Sequence, residues 1–196
     1  MASKELYYRT TAILKVGLNP DKLNGKLDEN ILVALKNKYE NITSELGIIV
    51  KINSILEYDY GRISDSTFTA TTYYDVKCDV YNCNPIPNLE FYAKITRLSL
   101  KTGRIILENG PTVITVQTNE INNAVFEIKG DSLSHKESMS QVKTGDIVKL
   151  SVINSKGKYK NNKIVVIAKL LDIAGVKGTE KYEYDIQNIL NINVKN

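Results

Sequence analysis

Apolar and polar positions in the first 84 residues follow the period of a strand and then that of a helix. Residues 6–18 predict a strand, and a helix follows in which Asp28 can act as the N-cap. Two β-rich runs come next, at 48–55 and 67–80. This order predicts an α+β unit in which one helix packs on an antiparallel sheet. The helix is predicted from apolar residues three and four positions apart, which are Ile31, Leu32, Leu35 and Tyr39.

From residue 85 onward the pattern changes to short apolar runs separated by turn residues. Lys101-Thr102-Gly103 and Asn109-Gly110 supply tight turns, and the Ser- and Lys-rich segment 130–142 predicts a loop. Five or so short strands with one long excursion after the third favour an all-β barrel of the oligonucleotide-binding (OB) class. The same periodicity also fits another small β-barrel or a sandwich. The strands are expected at 89–100, 104–107, 113–116, 146–153 and 164–171, with 123–128 as a further candidate.

These patterns divide the chain into three predicted parts: a unit at 1–84, a barrel at 85–174 and an extension at 175–196. In the extension, four apolar positions would fall on one face of a helix. They are Tyr182, Ile186, Ile189 and Leu190.

The border between the first two parts is the stretch CDVYNCNPIP at 78–87, which holds both cysteines and two of the four prolines. Cys78 and Cys83 lie five positions apart, so on a strand they point to opposite faces and cannot easily share a metal ion or a disulfide. Pro85 and Pro87 end the strand and stiffen the turn after it. We therefore predict a joint here, with the cysteines as small buried apolar side chains.

Composition predicts a globular protein without membrane or export segments, with 42% hydrophobic and 24% charged residues. No apolar run approaches the roughly 18 residues of a membrane helix, and the N-terminus lacks the apolar core of a signal peptide. We expect an intracellular location without membrane partners: the nucleus for a cellular eukaryote, or a cytoplasmic virus factory or virion for a virus.

Charge changes sign at the proline pair. Residues 1–84 carry 10 basic and 11 acidic side chains, net −1, whereas residues 85–196 carry 16 and 11, net +5. OB barrels bind single strands by combining cations that follow the backbone with aromatic faces for the bases. The alternative is a solvated lysine loop in a chain whose many Lys, Ile and Asn residues indicate an AT-rich genome. The candidate RNA-binding residues are Lys94, Arg97, Lys101, Arg104, Lys156, Lys158, Tyr159, Lys160 and Lys163.

The sequence contains few residues or motifs that would indicate an enzyme. His135 is the one histidine, so a multi-histidine metal site is excluded, and we expect it on a mobile loop. There is no G-x-S-x-G nucleophile elbow, no phosphate-binding glycine loop and no paired aspartates to hold magnesium. We therefore predict no catalytic residue, no metal and no cofactor.

The run YGRISDSTFTATTYYDVKCDVYNCNPIPNLEFYAKI, residues 60–95, resembles the large stalk subunit of multisubunit RNA polymerases, the family of the RNA polymerase II seventh subunit and its archaeal counterpart. As in that family, a Gly-Arg-Ile turn at 61–63 leaves the sheet, a strand follows and ends in a proline joint, and a barrel opens directly after it. The likeness covers roughly residues 6–172 and consists in the order and spacing of these features.

This resemblance implies a truncated ribonucleoprotein-like N-terminal domain whose tip docks on the polymerase core subunits. It also implies a smaller helical stalk partner, a barrel that faces nascent single-stranded RNA, and a non-catalytic role. Ala93 stands where such barrels usually have glycine, and no aromatic residue follows Gly103, so RNA binding is expected to be weak. A large DNA virus is a plausible source. The docking residues would be Asn19, Pro20, Tyr58, Tyr60, Gly61, Arg62 and Asp65.

Other functions stay open at this point. Within the same class, the chain could be the counterpart from RNA polymerase I or III. From a different class, it could be a free-standing OB-fold RNA-binding protein or translation factor. An enzyme such as a nuclease is the least supported, because the metal ligands and a general base cluster are missing from the sequence.

Overall fold

The first half of the chain forms one antiparallel sheet with a helix on one face. The computed structural model describes residues 5–44, 47–63, 70–156 and 162–190. The elements of this half are β1 (Tyr7–Leu18), helix α1 (Leu27–Tyr39), β2 (Thr43–Ser44), β3 (Gly47–Tyr58), β4 (Arg62–Ile63) and β5 (Thr72–Cys83). The strand order is β1-β5-β3-β2, and β4 also pairs with β5. The central strand β5 therefore pairs with three others.

The face of the sheet under α1 is built from alternate strand residues. Leu14 and Val16 of β1 are buried, and Leu14 lies opposite the buried Val76 of β5. Ile31 and Leu35, four positions apart on α1, are fully buried against them. Full burial of an aliphatic side chain contributes about 1.5–3 kcal/mol, so this half has an apolar core of its own.

Helix α1 starts differently from the prediction. Lys26 occupies the N-cap position and Asp28 lies inside the first turn, so the capping role predicted for Asp28 is wrong. The Asp28 carboxylate instead accepts a 2.6 Å hydrogen bond from the hydroxyl of Tyr58. This contact ties the N-terminal end of α1 to the last residue of β3.

The second half contains a closed five-stranded barrel. Its strands are β6 (Glu90–Ser99), β7 (Arg104–Asn109), β8 (Thr112–Gln117), β11 (Ile147–Lys156) and β12 (Ile164–Ile173). They close in the order β11-β12-β8-β7-β6, with β12 parallel to β8 and the other pairs antiparallel. This arrangement is consistent with the predicted OB-like barrel. Alternate residues fill the interior, among them Ala93, Leu107, Ile114, Leu150 and Val166.

The segment 130–142, predicted as a loop, is partly a strand, so that prediction is wrong. Strands β9 (Phe126–Lys129) and β10 (Ser132–His135) form a hairpin between β8 and β11. Leu133 is fully buried and belongs to the barrel core cluster. His135 is also buried, and its Nε2 lies 3.2 Å from Oδ1 of Asp172 on β12. His135 is therefore a packed strand residue and does not lie on a mobile loop.

The extension folds back onto the barrel. Helix α2 (Val176–Tyr184) continues into a π-helical turn at Asp185–Ile189. Tyr182, Ile186 and Ile189 are buried, and Leu190 packs against the barrel core cluster, as their predicted common face requires. Gly178 allows close approach, because a Cβ there would clash with the ring of Tyr92 on β6.

One apolar core crosses the joint between the two halves. Leu6 and Tyr7 at the start of β1 and Cys83 at the end of β5 belong to the same buried cluster as the barrel interior and Ile189. Cys78 belongs to the other cluster, under α1. Both cysteines are free, and burial raises the pKa of each thiol. The opposite orientation predicted for the two cysteines thus places one in each core.

Polar contacts at the same joint involve the β7–β8 turn. The Tyr7 hydroxyl lies 2.9 Å from Oδ1 and 3.1 Å from the carbonyl oxygen of Asn109, which is 2% exposed. The Asn109 amide donates a 2.7 Å hydrogen bond to the carbonyl of Tyr92. Gly110 has φ +53°, and a Cβ there would clash with the Tyr7 hydroxyl and with Cδ1 of Leu190. The sheet, the barrel and the extension therefore meet at one turn.

Gly110→Ala should reduce the free energy of unfolding by about 2–4 kcal/mol, because it combines left-handed backbone strain with overpacking against Tyr7 and Leu190. Gly130→Ala is the matched control, since Gly130 has φ +60° and nothing within 4 Å of its Cβ position. The control should lose about 1 kcal/mol. Urea unfolding of both variants measures the difference, and equal losses would show that the joint tolerates the added methyl group.

Candidate docking tip and nucleic-acid interface

Several predicted docking residues meet at one end of the sheet. Leu18, the last residue of β1, and Ile63 of β4 both pair with Thr72, the first residue of β5. The turn that follows β1 therefore lies next to the turn that precedes β4. A 3.2 Å hydrogen bond from Thr71 Oγ1 to Asn19 Oδ1 joins this end of β5 to the first turn. We call residues 19–20 and 59–63 the tip.

Asp59 organises the second turn of the tip. Its carboxylate accepts hydrogen bonds from the backbone N–H of Gly61 at 3.3 Å and of Asp75 at 3.1 Å, and it pairs with Arg62 at 3.3 Å. Gly61 has φ +73°, and a Cβ there would lie 2.6 Å from the ring of Tyr74, so a glycine is needed. This turn leaves Tyr60 fully exposed.

The remaining predicted docking residues lie beside this turn or outside the described residues. Tyr58 uses its hydroxyl on Asp28 and sets its ring edge-on to Tyr74, with ring centroids 5.9 Å apart. The hydrogen bond to Asp28 also raises the pKa of Tyr58. Pro20 begins a short 3₁₀ turn, Pro20–Lys22, and Asp65 lies outside the described residues. Tyr58 is 38% exposed, so it joins α1 to the end of β3 beside the tip while part of its side chain stays accessible.

Ile63 is a tip residue that was missing from the predicted set. Its side chain is 63% exposed although β4 is hydrogen-bonded to the sheet. The sequence shows only that this isoleucine follows a Gly-Arg turn, and the exposure of its side chain cannot be deduced from that position. With Tyr60 it places one aromatic and one aliphatic side chain at the end of the sheet.

Four of the predicted RNA-binding cations share the outer surface of the barrel. Lys94 lies opposite Glu108, and Arg97 lies opposite Ile106, on β6 and β7. Residues three apart normally point to opposite faces of a strand, but a register shift between Ile95 and Arg97 returns Arg97 to the outer face. We call the group formed by Lys94, Arg97, Arg104 and Lys163 the basic face.

Acidic residues partly neutralise these cations. Lys163 Nζ lies 3.2 Å from Oε1 of Glu108, which lies opposite Lys94 on β7. Lys101, at the β6–β7 turn, pairs at 2.9 Å with Asp131 in the β9–β10 turn. These pairs are solvent-exposed, and such pairs contribute only about 0–1 kcal/mol, so a phosphate can replace the carboxylate at little energetic cost.

Aromatic residues are scarce on this surface. The outward aromatic on the described parts of β6, β7 and β8 is Tyr92, and α2 packs over it through Gly178. Lys158, Tyr159 and Lys160 lie outside the described residues, and Lys156 ends β11 with its side chain not described. The geometry therefore supplies exposed cations without an adjacent described aromatic residue on which a base could stack.

The described ranges contain no group of three or more His, Cys, Asp or Glu side chains placed to hold a metal ion. Within the same ranges, neither α-helix has the length and apolar character that crossing a bilayer requires.

Comparison with known proteins places the chain in a family. No family model matches the sequence. A protein of Acanthamoeba polyphaga mimivirus, provisionally named a DNA-directed RNA polymerase subunit, is 35% identical over 191 residues, which cover 97% of this chain and 95% of the relative. The chain belongs to this family of DNA-directed RNA polymerase subunits. The sequence-based prediction of an RNA polymerase subunit is thereby confirmed, and the stalk position stays a prediction.

The match bears on the C-terminal extension of this polymerase subunit. Because the aligned region takes in 97% of the chain, most of the extension has a counterpart in the viral relative. The extension also contributes Ile189 to the core that joins the sheet to the barrel. It is therefore a structural part of the subunit.

Proposed function

We propose that this polymerase subunit is the non-catalytic stalk subunit, which docks on the polymerase core through the tip and carries a barrel that contacts nascent RNA. The observation that carries the proposal is the arrangement of the two surfaces along one strand. Strand β5 begins at the tip with Thr72 and ends at the barrel with Cys83. Its 12 residues span roughly 36 Å, so the tip and the barrel lie at opposite ends of a stiff connection.

The tip has the properties of a docking surface. Tyr60 and Ile63 are exposed apolar side chains on a turn that Asp59 holds in place. Tyrosine is enriched among the residues that dominate binding energy at interfaces, and a preorganised turn reduces the entropy lost on docking. We propose that polymerase core subunits bind these two side chains together with Asn19, Pro20, Tyr58, Gly61, Arg62 and Asp65.

The basic face suits transient contact with a single strand. Four cations without base-reading geometry would hold phosphates and give little sequence preference. The carboxylates of Glu108 and Asp131 keep the net charge of the surface low. We propose weak, salt-dependent RNA binding there, extended by Lys101 and by the segment that contains Lys156, Lys158, Tyr159 and Lys160.

The remaining parts of the proposal follow from the stalk role. The sheet with α1 would be the truncated ribonucleoprotein-like docking domain, residues 1–84, followed by the OB-fold domain, 85–174, and the extension, 175–196. A smaller helical stalk partner would complete the assembly. The chain would act wherever its polymerase works: the nucleus of a eukaryote, or the virus factory or virion of a virus.

Tyr60→Ala combined with Ile63→Ser should reduce incorporation of the subunit into its polymerase at least tenfold, since residues of this kind often contribute 2 kcal/mol or more to binding. The measurement is quantitative mass spectrometry of polymerase purified through its largest subunit. Tyr184→Ala on α2 is the control, because Tyr184 is an exposed tyrosine far along the chain from the tip. Full incorporation of the double variant would contradict docking through the tip.

Glu108→Gln should strengthen binding of a single-stranded RNA oligonucleotide by about two- to fivefold, because it removes the carboxylate that competes with phosphate for Lys163. Arg97→Ala combined with Arg104→Ala should weaken binding and make the salt dependence less steep, by about 0.7 in the log–log slope for each lost phosphate contact. Fluorescence anisotropy between 50 and 200 mM salt measures both effects.

Lys169→Ala is the matched control for these variants, since Lys169 is exposed on β12, outside the basic face. If all the variants bind equally, RNA does not contact the basic face. If the isolated subunit binds RNA tightly and never joins a polymerase, it acts as a free-standing RNA-binding protein.

A further inference from the structure

Strand β1 forms one edge of the N-terminal sheet. The strand order β1-β5-β3-β2 places β5 on one side of it, and no other described strand pairs with its second side. The strand is 12 residues long. An edge of that length presents a row of backbone donors and acceptors to which another extended chain can pair.

The contacts of β5 identify the residues of β1 whose backbone groups point outward. In an antiparallel pair, residues alternate between those that bond the partner strand and those that face away from it. Asp75 of β5 lies opposite Lys15. Its backbone N–H donates to Asp59 Oδ1, and its carbonyl oxygen accepts from the backbone N–H of Asp59. Both backbone groups of Asp75 therefore point away from β1. Lys15 therefore points outward, and so do the residues at every second position before it: Arg9, Thr11 and Ile13.

Helix α1 covers one end of this edge, and no described strand covers the stretch before it. The Lys15 carbonyl accepts 2.8 Å hydrogen bonds from Lys38 Nζ and from the Tyr39 hydroxyl, both at the end of α1. These two bonds also confirm that the backbone of Lys15 faces away from β5. Before Lys15, the outward backbone groups of residues 9–13 bond to no group among the described residues.

The side chains that a strand bound to residues 9–13 would cover are apolar in part. Ile13 is 75% exposed on the sheet face opposite α1. On the other face, α1 leaves a groove uncovered, lined in part by Tyr8, Thr10, Ala12 and Ile42. An added strand would place alternate side chains against Ile13 and against this groove.

We infer that the edge at residues 9–13 pairs with an extended segment of another subunit of the polymerase. The edge determines which segment can bind. The segment should have four or five residues without proline and apolar side chains that face the groove and Ile13. It should also carry an acidic residue near Lys15 and Lys38. A second copy of this chain would instead bring two edges with the same positive charges together. The inference rests on the membership of the chain in a polymerase, and it is independent of which surface docks on the core.

Hydrogen exchange of single amides tests the pairing directly, on the free subunit and on assembled polymerase. The amides of Thr11 and Ile13 should exchange at least tenfold more slowly in the polymerase than in the free subunit. Thr10 and Ala12 are internal controls, because their amides already face β5 and should be protected in both states. Fast exchange of Thr11 and Ile13 in the assembled enzyme overturns the inference. A subunit that never assembles overturns the proposed function instead.

A backbone substitution supplies a second, independent test. Thr11→Pro removes one outward N–H without removing a bond to β5, and proline is tolerated on the solvent side of an edge strand. It should lower incorporation into the polymerase at least tenfold, whereas Thr11→Ala, which keeps the N–H, should incorporate normally. Circular dichroism shows whether each variant is folded.

A photo-crosslinking residue at position 13 identifies the partner. Crosslinks to one contiguous segment of another polymerase subunit support the inference. Crosslinks to a second copy of this chain, or full incorporation of folded Thr11→Pro, overturn it.

Discussion

The hydrogen bond between Tyr7 and Asn109 fixes how the two halves of the molecule sit relative to each other. Both residues are buried, and leaving such a donor or acceptor unpaired costs about 1–3 kcal/mol, so the bond is made only when the β7–β8 turn lies against the start of β1. Gly110 permits that approach, and Leu190 packs on the same turn. The tip and the basic face therefore hold a fixed spacing, which the proposed stalk role would require.

Strand β5 contributes side chains to both apolar cores and so connects the joint to the rest of the sheet. Because its side chains alternate between faces, Cys78 packs under α1 while Cys83 packs in the core that continues into the barrel. Pro85 follows two residues after Cys83 and is buried, so the chain enters the barrel without a flexible linker. The Asp185 carboxylate lies in the same joint, where burial raises its pKa although Lys181 pairs with it at 3.2 Å.

Sequence reasoning located the elements whose apolar periodicity is strong and missed those fixed by long-range contacts. Strand β1 and the five barrel strands lie close to their predicted ranges because their buried residues alternate over many positions. Strand β10 was missed because Leu133 is its one aliphatic residue, and His135 is buried through a contact with the distant Asp172. The predicted start of α1 was wrong because the Asp28 carboxylate accepts a hydrogen bond from Tyr58 and does not cap the helix. These residues are thirty positions apart, so local sequence does not reveal the contact. The exposure of Ile63 was not predicted because it depends on how β4 pairs with β5 and on what the neighbouring strands leave uncovered.

If the basic face contacts RNA as proposed, its counter-charges would keep that contact transient. A nascent strand moves past its polymerase continuously, so each phosphate contact would have to break as readily as it forms. Glu108 on the basic face and Asp131 beside it pair with Lys163 and Lys101, so RNA would exchange one exposed ion pair for another and gain mainly from the release of its counterions. A face with the same cations and no carboxylates would hold RNA more tightly, and it would oppose the movement that transcription requires.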